Sequence, residues 1–449
     1  GSEQKKFKLS VYRHRLLLFI FAHSKSSPSK NLVQILSMTI STQSFSVNNI
    51  SFHPVAKPIV VVCIDGSGDE YLDTTLTHDR MPHLKAMSRN GFRGMVRGAL
   101  PSFTNVNNSS IITGMPPSVH GISGNFFYDS VKDQEVMMNS SEYLRCDTIL
   151  AAAANAGRKV AVVTAKEKLR DILSFKLKGI AFSAEKANQT KNETHGIEQV
   201  EEIVGHKTPA IYSADASLFV LRAGAALIEK GMADFLYLSL TDYMQHTYAP
   251  DAKESLAFYE AMDAELGKML KLCAVIGCTA DHGMNAKVKP DGSPNVLFIE
   301  TMLNEKFGKG FRVICPISDP YVKHHGSLGS YVVIHVEDSS KINEVKNWLS
   351  IQPGITEVYD KQTGCRLLEL PEDRVGDLLV LSGRDVVVGK TPAHHDMKAL
   401  DGTLRSHGGR YEEMVPMVVS HPLNPVYRMK ATCDPRNFDI FDFTINGTN

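Results

Sequence analysis

Asp65, Thr104, Asp242, His246, Asp281, His282 and His407 are the residues of this 449-residue chain whose types and settings could do chemistry. Most follow the end of an apolar run: Asp65 after KPIVVVCI, Asp242 and His246 in LYLSLTDYMQHTY, Asp281 and His282 in VIGCTADHGM. Thr104 lies in LPSFTNVNNSS and His407 in RSHGGRYEEMVPM. In open α/β sheets ligands bind beyond the carboxyl ends of the strands, so distant residues can meet on one rim. Mixed carboxylates and imidazoles in this number suit two Zn²⁺ ions, although Mn²⁺ or Fe²⁺ would also fit such donors. A hydroxyl beside them is a nucleophile that a metal can activate. The expected chemistry is hydrolysis by phosphoryl transfer.

The elements that must position these residues alternate between strand and helix from Lys57 onward. Strand-like KPIVVVCI, RGMVRGAL, KVAVVTA, ADFLYLSL and CAVIGCTA are separated by helical MPHLKAMSRN, a helix starting near Thr104, CDTILAAAANA, SLFVLRAGAALIEK and ESLAFYEAMDAELGKMLKL. This rhythm predicts right-handed crossovers and an α/β fold with a parallel-rich central sheet covered by helices on both faces. Asp242 and His246 are spaced i,i+4, which one helical turn places on one face. Gly283 after Asp281 and His282 is expected to let the backbone turn tightly.

After Gly283 the rhythm changes. YVVIHVED, KINEVKNWLS and TEVYD predict a small α+β unit inserted over residues 286–372 as a cap, with the parallel-sheet style resuming at DRVGDLLVLSG. The hydrolase core is then 38–285 and 373–449. Residues 1–37, basic and then Ser-rich, are expected to be a poorly ordered extension outside the functional protein, with a targeting role left open. Their short apolar run cannot span a bilayer.

Lys+Arg and Asp+Glu both number 49, so no overall positive field draws the chain to nucleic acid or an anionic membrane. Seven cysteines form no compact disulfide framework, which favours reducing, cytoplasm-like surroundings. Asn108-Ser109-Ser110 has the form of a glycan acceptor, but a glycan there would block Thr104, so chance is the better account. His120 is read as structural, the pair His324 and His325 as lying in the cap near the cleft, and His394 and His395 as a loop pair without a role.

The order Asp, Thr, Asp-x-x-x-His, Asp-His-Gly, His-Gly resembles the alkaline phosphatase superfamily and, within it, the nucleotide pyrophosphatase/phosphodiesterase branch. The resemblance covers about residues 55–430. It implies that Asp65, Thr104, Asp281 and His282 surround one zinc, and that Asp242, His246 and His407 hold the other. PSFTNVNNSSIITGMPPSVHGISGNFFYD followed by VVTAKEKLRDIL is similar, more narrowly, to the phosphonoacetate hydrolases. That similarity implies a small organophosphonate as substrate, Asn125 on the phosphonate oxygens, and Lys166 and Lys168 on the substrate carboxylate. Taken on residue type alone, the two lysines would be a solvated helix start.

The implied reaction begins with in-line attack of Thr104 on phosphorus. The leaving carbanion is delocalised into the carboxylate and stabilised by the lysines as charge grows. Acetate leaves, and water then cleaves the phosphothreonine. A phosphodiesterase with the same two-zinc site is the main rival, because such a site reads only a phosphoryl group. A cofactor-independent phosphoglycerate mutase would call for a larger insertion and a serine nucleophile. A metal or phosphonate binder without turnover is the rival from a different class. A homodimer is compatible with all of these readings.

Overall fold

The structure, a computed structural model, describes residues 40–53, 55–319, 325–400 and 403–448. The extension expected at 1–37 and the reading of His324 fall outside the described residues.

The central sheet has seven strands: β1 (Ile59–Cys63), β2 (Phe92–Arg97), β3 (Val160–Thr164), β4 (Ile180–Ser183), β5 (Phe235–Ser239), β6 (Val275–Thr279) and β7 (Met414–Val419). Their order is β2-β7-β6-β1-β5-β3-β4. Pairs β6/β1, β1/β5, β5/β3 and β3/β4 are parallel, and β7 runs against both its neighbours. Strands with both faces covered read as continuous apolar runs. IVVVC of β1 shows why: Ile59, Val61 and Cys63 join the core under the helices Thr104–Thr113 and Ile440–Ile445. Val60 and Val62 join the opposite core, under the long helices Ala214–Glu229 and Lys253–Lys271. The expected α/β class, with a parallel-rich sheet and helices on both faces, is the one found.

This strand order explains how one rim collects the chemistry. The carboxyl ends of β6, β1, β5 and β3 lie side by side, and each leads directly into Asp281, Asp65, Asp242 or Lys166. The residues after β2 lead to Thr104 on that same rim. Because β7 is antiparallel, it is the chain entering it that lies there, which brings in His407.

A second, antiparallel sheet is ordered Phe311–Ile314, Tyr331–Val336, Leu378–Ser382, Ile355–Asp360. The helices Ile299–Phe307 and Ile342–Ser350 pack on its own apolar cluster. Here one expectation is corrected. DLLVLS does not return to the parallel sheet but pairs antiparallel with Tyr331–Val336 and Ile355–Asp360, so the small unit continues past residue 372 through Ser382. An apolar strand buried on both faces carries no sign of which sheet will take it. Among the described residues no helix is long and apolar enough to cross a membrane.

Candidate active site

Thr104 is the first residue of the helix Thr104–Thr113, all of whose residues are buried. Its hydroxyl lies 3.4 Å from His282 Nε2. Asn108, one turn on, donates to the Thr104 carbonyl and to Asp281 Oδ2, while its own Oδ1 accepts from Tyr237 and Ser239 of β5. The Asn108 side chain is therefore interior scaffolding, in keeping with the reading of its Ser-Ser triplet as chance.

Asp242 precedes the short helix Tyr243–Thr247, whose turn brings His246 Nε2 to 3.0 Å from Asp242 Oδ2. His407 Nε2 stands 4.0 Å from the same oxygen. His282 Nε2 is 3.2 Å from Asp65 Oδ1 and 3.6 Å from Asp281 Oδ2. The His282 and His407 rings stack at 3.5 Å with only 5° between their planes. Glycines allow these approaches. Gly66, at φ +71°, passes so close to Asp242 that a Cβ would come within 3.1 Å of the Asp242 Cβ. Gly283 is not at positive φ; its use is proximity, since a Cβ there would lie 3.4 Å from the Glu412 Cα.

Each imidazole is oriented in the same way. Nδ1 of His246 faces the Arg405 carbonyl at 2.7 Å, that of His282 faces Gly283 at 2.8 Å, and that of His407 faces Ser102 at 2.7 Å. A nitrogen facing a carbonyl must carry the proton, so Nε2 is turned to the site, and the carbonyl fixes the ring as it does in metal-ligating histidines. Two buried groups place their donor atoms within 4.8 Å of one another: Asp242, His246, His407 and Asp65, Asp242, His282. Asp65 Oδ1 and His246 Nε2 are buried without a hydrogen-bond partner. This donor set fits a cation. Asp281 stands beside the second group, with Oδ1 accepting the backbone N–H of Gly66 and His282.

The electrostatics agree. Burial, then the nearby Asp65, pushes the Asp281 carboxyl up to about 8. Burial pulls the His282 imidazole down, but Asp281 and Asp65 outweigh it and lift it to about 9. Burial and the neighbouring His282 hold His407 well below its ordinary value, so it is a neutral donor. Buried carboxyl groups that push one another's charge out, beside the neutral His407, form an environment that a divalent cation stabilises.

The lysines are not a solvated helix start. Lys166 is buried, with Nζ 2.9 Å from both Asp65 Oδ2 and Asp242 Oδ1. Burial depresses its ammonium, but Asp242 and Asp65 prevail and raise it well above its usual value. Lys168 pairs with Asp319, a partner from the loop after Phe311–Ile314. Burial, reinforced by Lys166, lowers Lys168 to about 7. Both line a cavity of about 480 Å³ with Asn139, Glu167, Glu185, Lys186, Ile211 and Tyr212. Lys166 is shared between this cavity and the donor cluster. Asn125 is buried, and its Oδ1 accepts from the Asn105 N–H, which leaves the amide NH₂ as the group it can offer.

Sequence reasoning missed Asp319, Asn108 and Arg405. Asn108 has a signal in its i+4 spacing from Thr104; Asp319 sits in the small unit with no strand end to mark it. His325 is buried with its ring 5.3 Å from that of His246, so it does lie at the cleft. His395 bonds the Gly326 carbonyl and the Lys390 N–H, and His120 bonds Ser110 and the Ile122 N–H, which are structural roles.

Residues 59–410 match the type I phosphodiesterase / nucleotide pyrophosphatase family. A phosphonoacetate hydrolase from Sinorhizobium meliloti 1021, solved with phosphonoformate, is 40% identical, with a TM-score of 0.86 over 91% of this chain and 100% of that one. The same protein solved with phosphonoacetate gives the same figures. Murine ectonucleotide pyrophosphatase / phosphodiesterase 5 is 19% identical, with a TM-score of 0.56 over 82% of this chain and 88% of that one, a likeness of fold alone.

Proposed function

Because the chain belongs to the type I phosphodiesterase / nucleotide pyrophosphatase family, we propose that it is a metal-dependent hydrolase that splits the C–P bond of phosphonoacetate into acetate and phosphate. The observation that carries this reading is the cavity lined by Lys166, Lys168 and Lys186, with Lys166 bonded also to Asp65 and Asp242 of the buried donor cluster. The 40% identity to a phosphonoacetate hydrolase over its whole length supports it.

Asp65, Asp281, His282 and Thr104 would hold one Zn²⁺, and Asp242, His246 and His407 the other. When bound, such ions polarise phosphoryl oxygens and acidify a hydroxyl or water. Thr104, fixed at a helix start, is placed to attack phosphorus and carry the phosphoryl group as phosphothreonine. The Asn125 amide binds a phosphonate oxygen. The substrate carboxylate exchanges into the ion pairs of Lys166 and Lys168. As the C–P bond breaks, the electron pair moves onto the CH₂–COO⁻ fragment, and two ammonium groups beside that carboxylate stabilise it more than the ground state. Protonation at carbon gives acetate, and water releases phosphate from Thr104.

The family match also admits a phosphodiester substrate at the same phosphoryl site. Inorganic phosphate release from phosphonoacetate, measured against cleavage of a p-nitrophenyl phosphodiester on zinc-restored protein, decides between them. Release of phosphate is the expected result. Diester cleavage without it would overturn the proposal.

A further inference from the structure

We infer that the buried ion pair Lys287–Glu412 is a positioning clamp that holds His282 and His407 in register, so that the two imidazoles face the metal site together. Both side chains are fully buried, with Lys287 Nζ 2.8 Å from Glu412 Oε1. Neither touches a donor atom of the site. What they hold is the backbone on either side of it.

Downstream of His282, the Gly283 N–H donates to the Glu412 carbonyl at 2.8 Å. Asn285 donates through Nδ2 to Glu412 Oε1 at 2.6 Å and to the Tyr411 carbonyl at 3.2 Å. Asn285 and Ala286 pair antiparallel with Ser406 and Arg405, immediately before His407. Downstream of His407, the Gly409 N–H donates to Glu412 Oε2 at 3.2 Å. Lys287 closes the ring: its N–H reaches the Leu404 carbonyl and its ammonium the Arg384 carbonyl, at 2.8 and 2.7 Å.

One carboxylate thus cross-links the segments 283–287 and 407–412, which leave the two stacked rings. Desolvating two charges is costly, and a hydrophobic pair of similar size is often as stable or more so. Stability alone is a poor reason for this pair. Fixing two segments, one leaving β6 and the other entering β7, is a better one, since ligand geometry tolerates little slack.

The inference rests on the metal reading of the site and not on the choice of substrate. The test uses the zinc-restored full chain with a chromophoric zinc chelator. Glu412→Gln is expected to lower zinc retention and kcat by about 10–100-fold, as loss of an outer-shell partner does, with KM changed less than about twofold. The decisive variant is Lys287→Met with Glu412→Gln, which strands no charge. It is expected to melt near the wild-type temperature and still release zinc early. Asn285→Ala, which removes one arm and no charge, is expected to show a smaller loss of the same kind. A double variant that regains wild-type zinc retention and kcat would make the pair merely structural and overturn the clamp. Should either charge variant fail to fold, Asn285→Ala decides: wild-type zinc retention there overturns the clamp as well. Failure of the wild type itself to retain zinc would instead overturn the metal reading.

Discussion

On one side of the site His246, His282 and His407 each donate from Nδ1 to a backbone carbonyl, so their rings are set by the fold. On the other side Lys166 and Lys168 reach the site on four-carbon side chains whose ammonium groups end on carboxylates: Asp65 and Asp242 for the first, Asp319 for the second. The difference is between donors that have no ordering left to do and charges that can change partners. A cation site gains from the first kind, because any slack in the ligands is lost affinity. A pocket that must admit and release a charged small molecule gains from the second. An incoming carboxylate can share Lys168 with Asp319, whose buried carboxylate then keeps its counter-charge.

The largest expected effect separates the nucleophile from the framework around it. Thr104→Ala should reduce phosphate release at least about 10³-fold, as loss of a nucleophile does. Zinc retention against a chelator should change no more than a few-fold, because the imidazoles are anchored elsewhere. Collapse of zinc retention in this variant would break the contrast, since the rigid side would then depend on a hydroxyl.

Next in size is the lysine side. Lys168→Ala removes a charge-assisted contact worth about 1.5–3 kcal/mol, so kcat/KM for phosphonoacetate should fall by about 10–100-fold. Cleavage of a phosphoester with no carboxylate should change little. Lys166→Ala is the less clean probe because it strands Asp65 and Asp242 together. The pH dependence sharpens this further. Burial and Lys166 hold Lys168 at about 7, so its cationic form is lost as pH rises through that value. KM for phosphonoacetate should therefore climb above pH 7, and Lys168→Arg, which stays charged, should flatten the climb. An unchanged profile in Lys168→Arg would remove Lys168 from carboxylate binding.

The same contrast governs what could be read from the chain. Asp65, Asp242 and Asp281 were legible because each ends an apolar strand, and a strand end in a parallel sheet has a known place. His407 was legible only through resemblance, since it reaches the rim by preceding the antiparallel β7. The lysine partners were not legible at all. Lys166 meets Asp65 and Asp242 because β1 and β5 lie in line beside β3, a sheet order no local pattern encodes. Asp319 arrives from the small unit, and the unit's own extent was misjudged at DLLVLS because an apolar strand does not announce its neighbours. The Lys287–Glu412 pair was invisible for a related reason: a buried charge in sequence looks like a solvated one.

The smallest effect tests the platform beneath the rigid side. His120 Nδ1 accepts the Ile122 N–H, so Nε2 carries the proton and donates to Ser110 Oγ, on the helix that begins at Thr104. Burial, aided by Arg374, holds this imidazole at about 3. In the unfolded chain it titrates near about 6.5, so between those values the unfolded state binds the extra proton. Stability is thus fully present above about pH 6.5 and falls as pH drops below it. By pH 5.5 the loss relative to pH 7 is about 1 kcal/mol from this group. Urea midpoints of wild type and His120→Gln at both pH values measure it, since only the wild type carries the titrating ring. Parallel losses in the two proteins would mean that acid does not enter at His120. A wild-type excess would show that the platform under Thr104 is rigid only while that imidazole stays neutral.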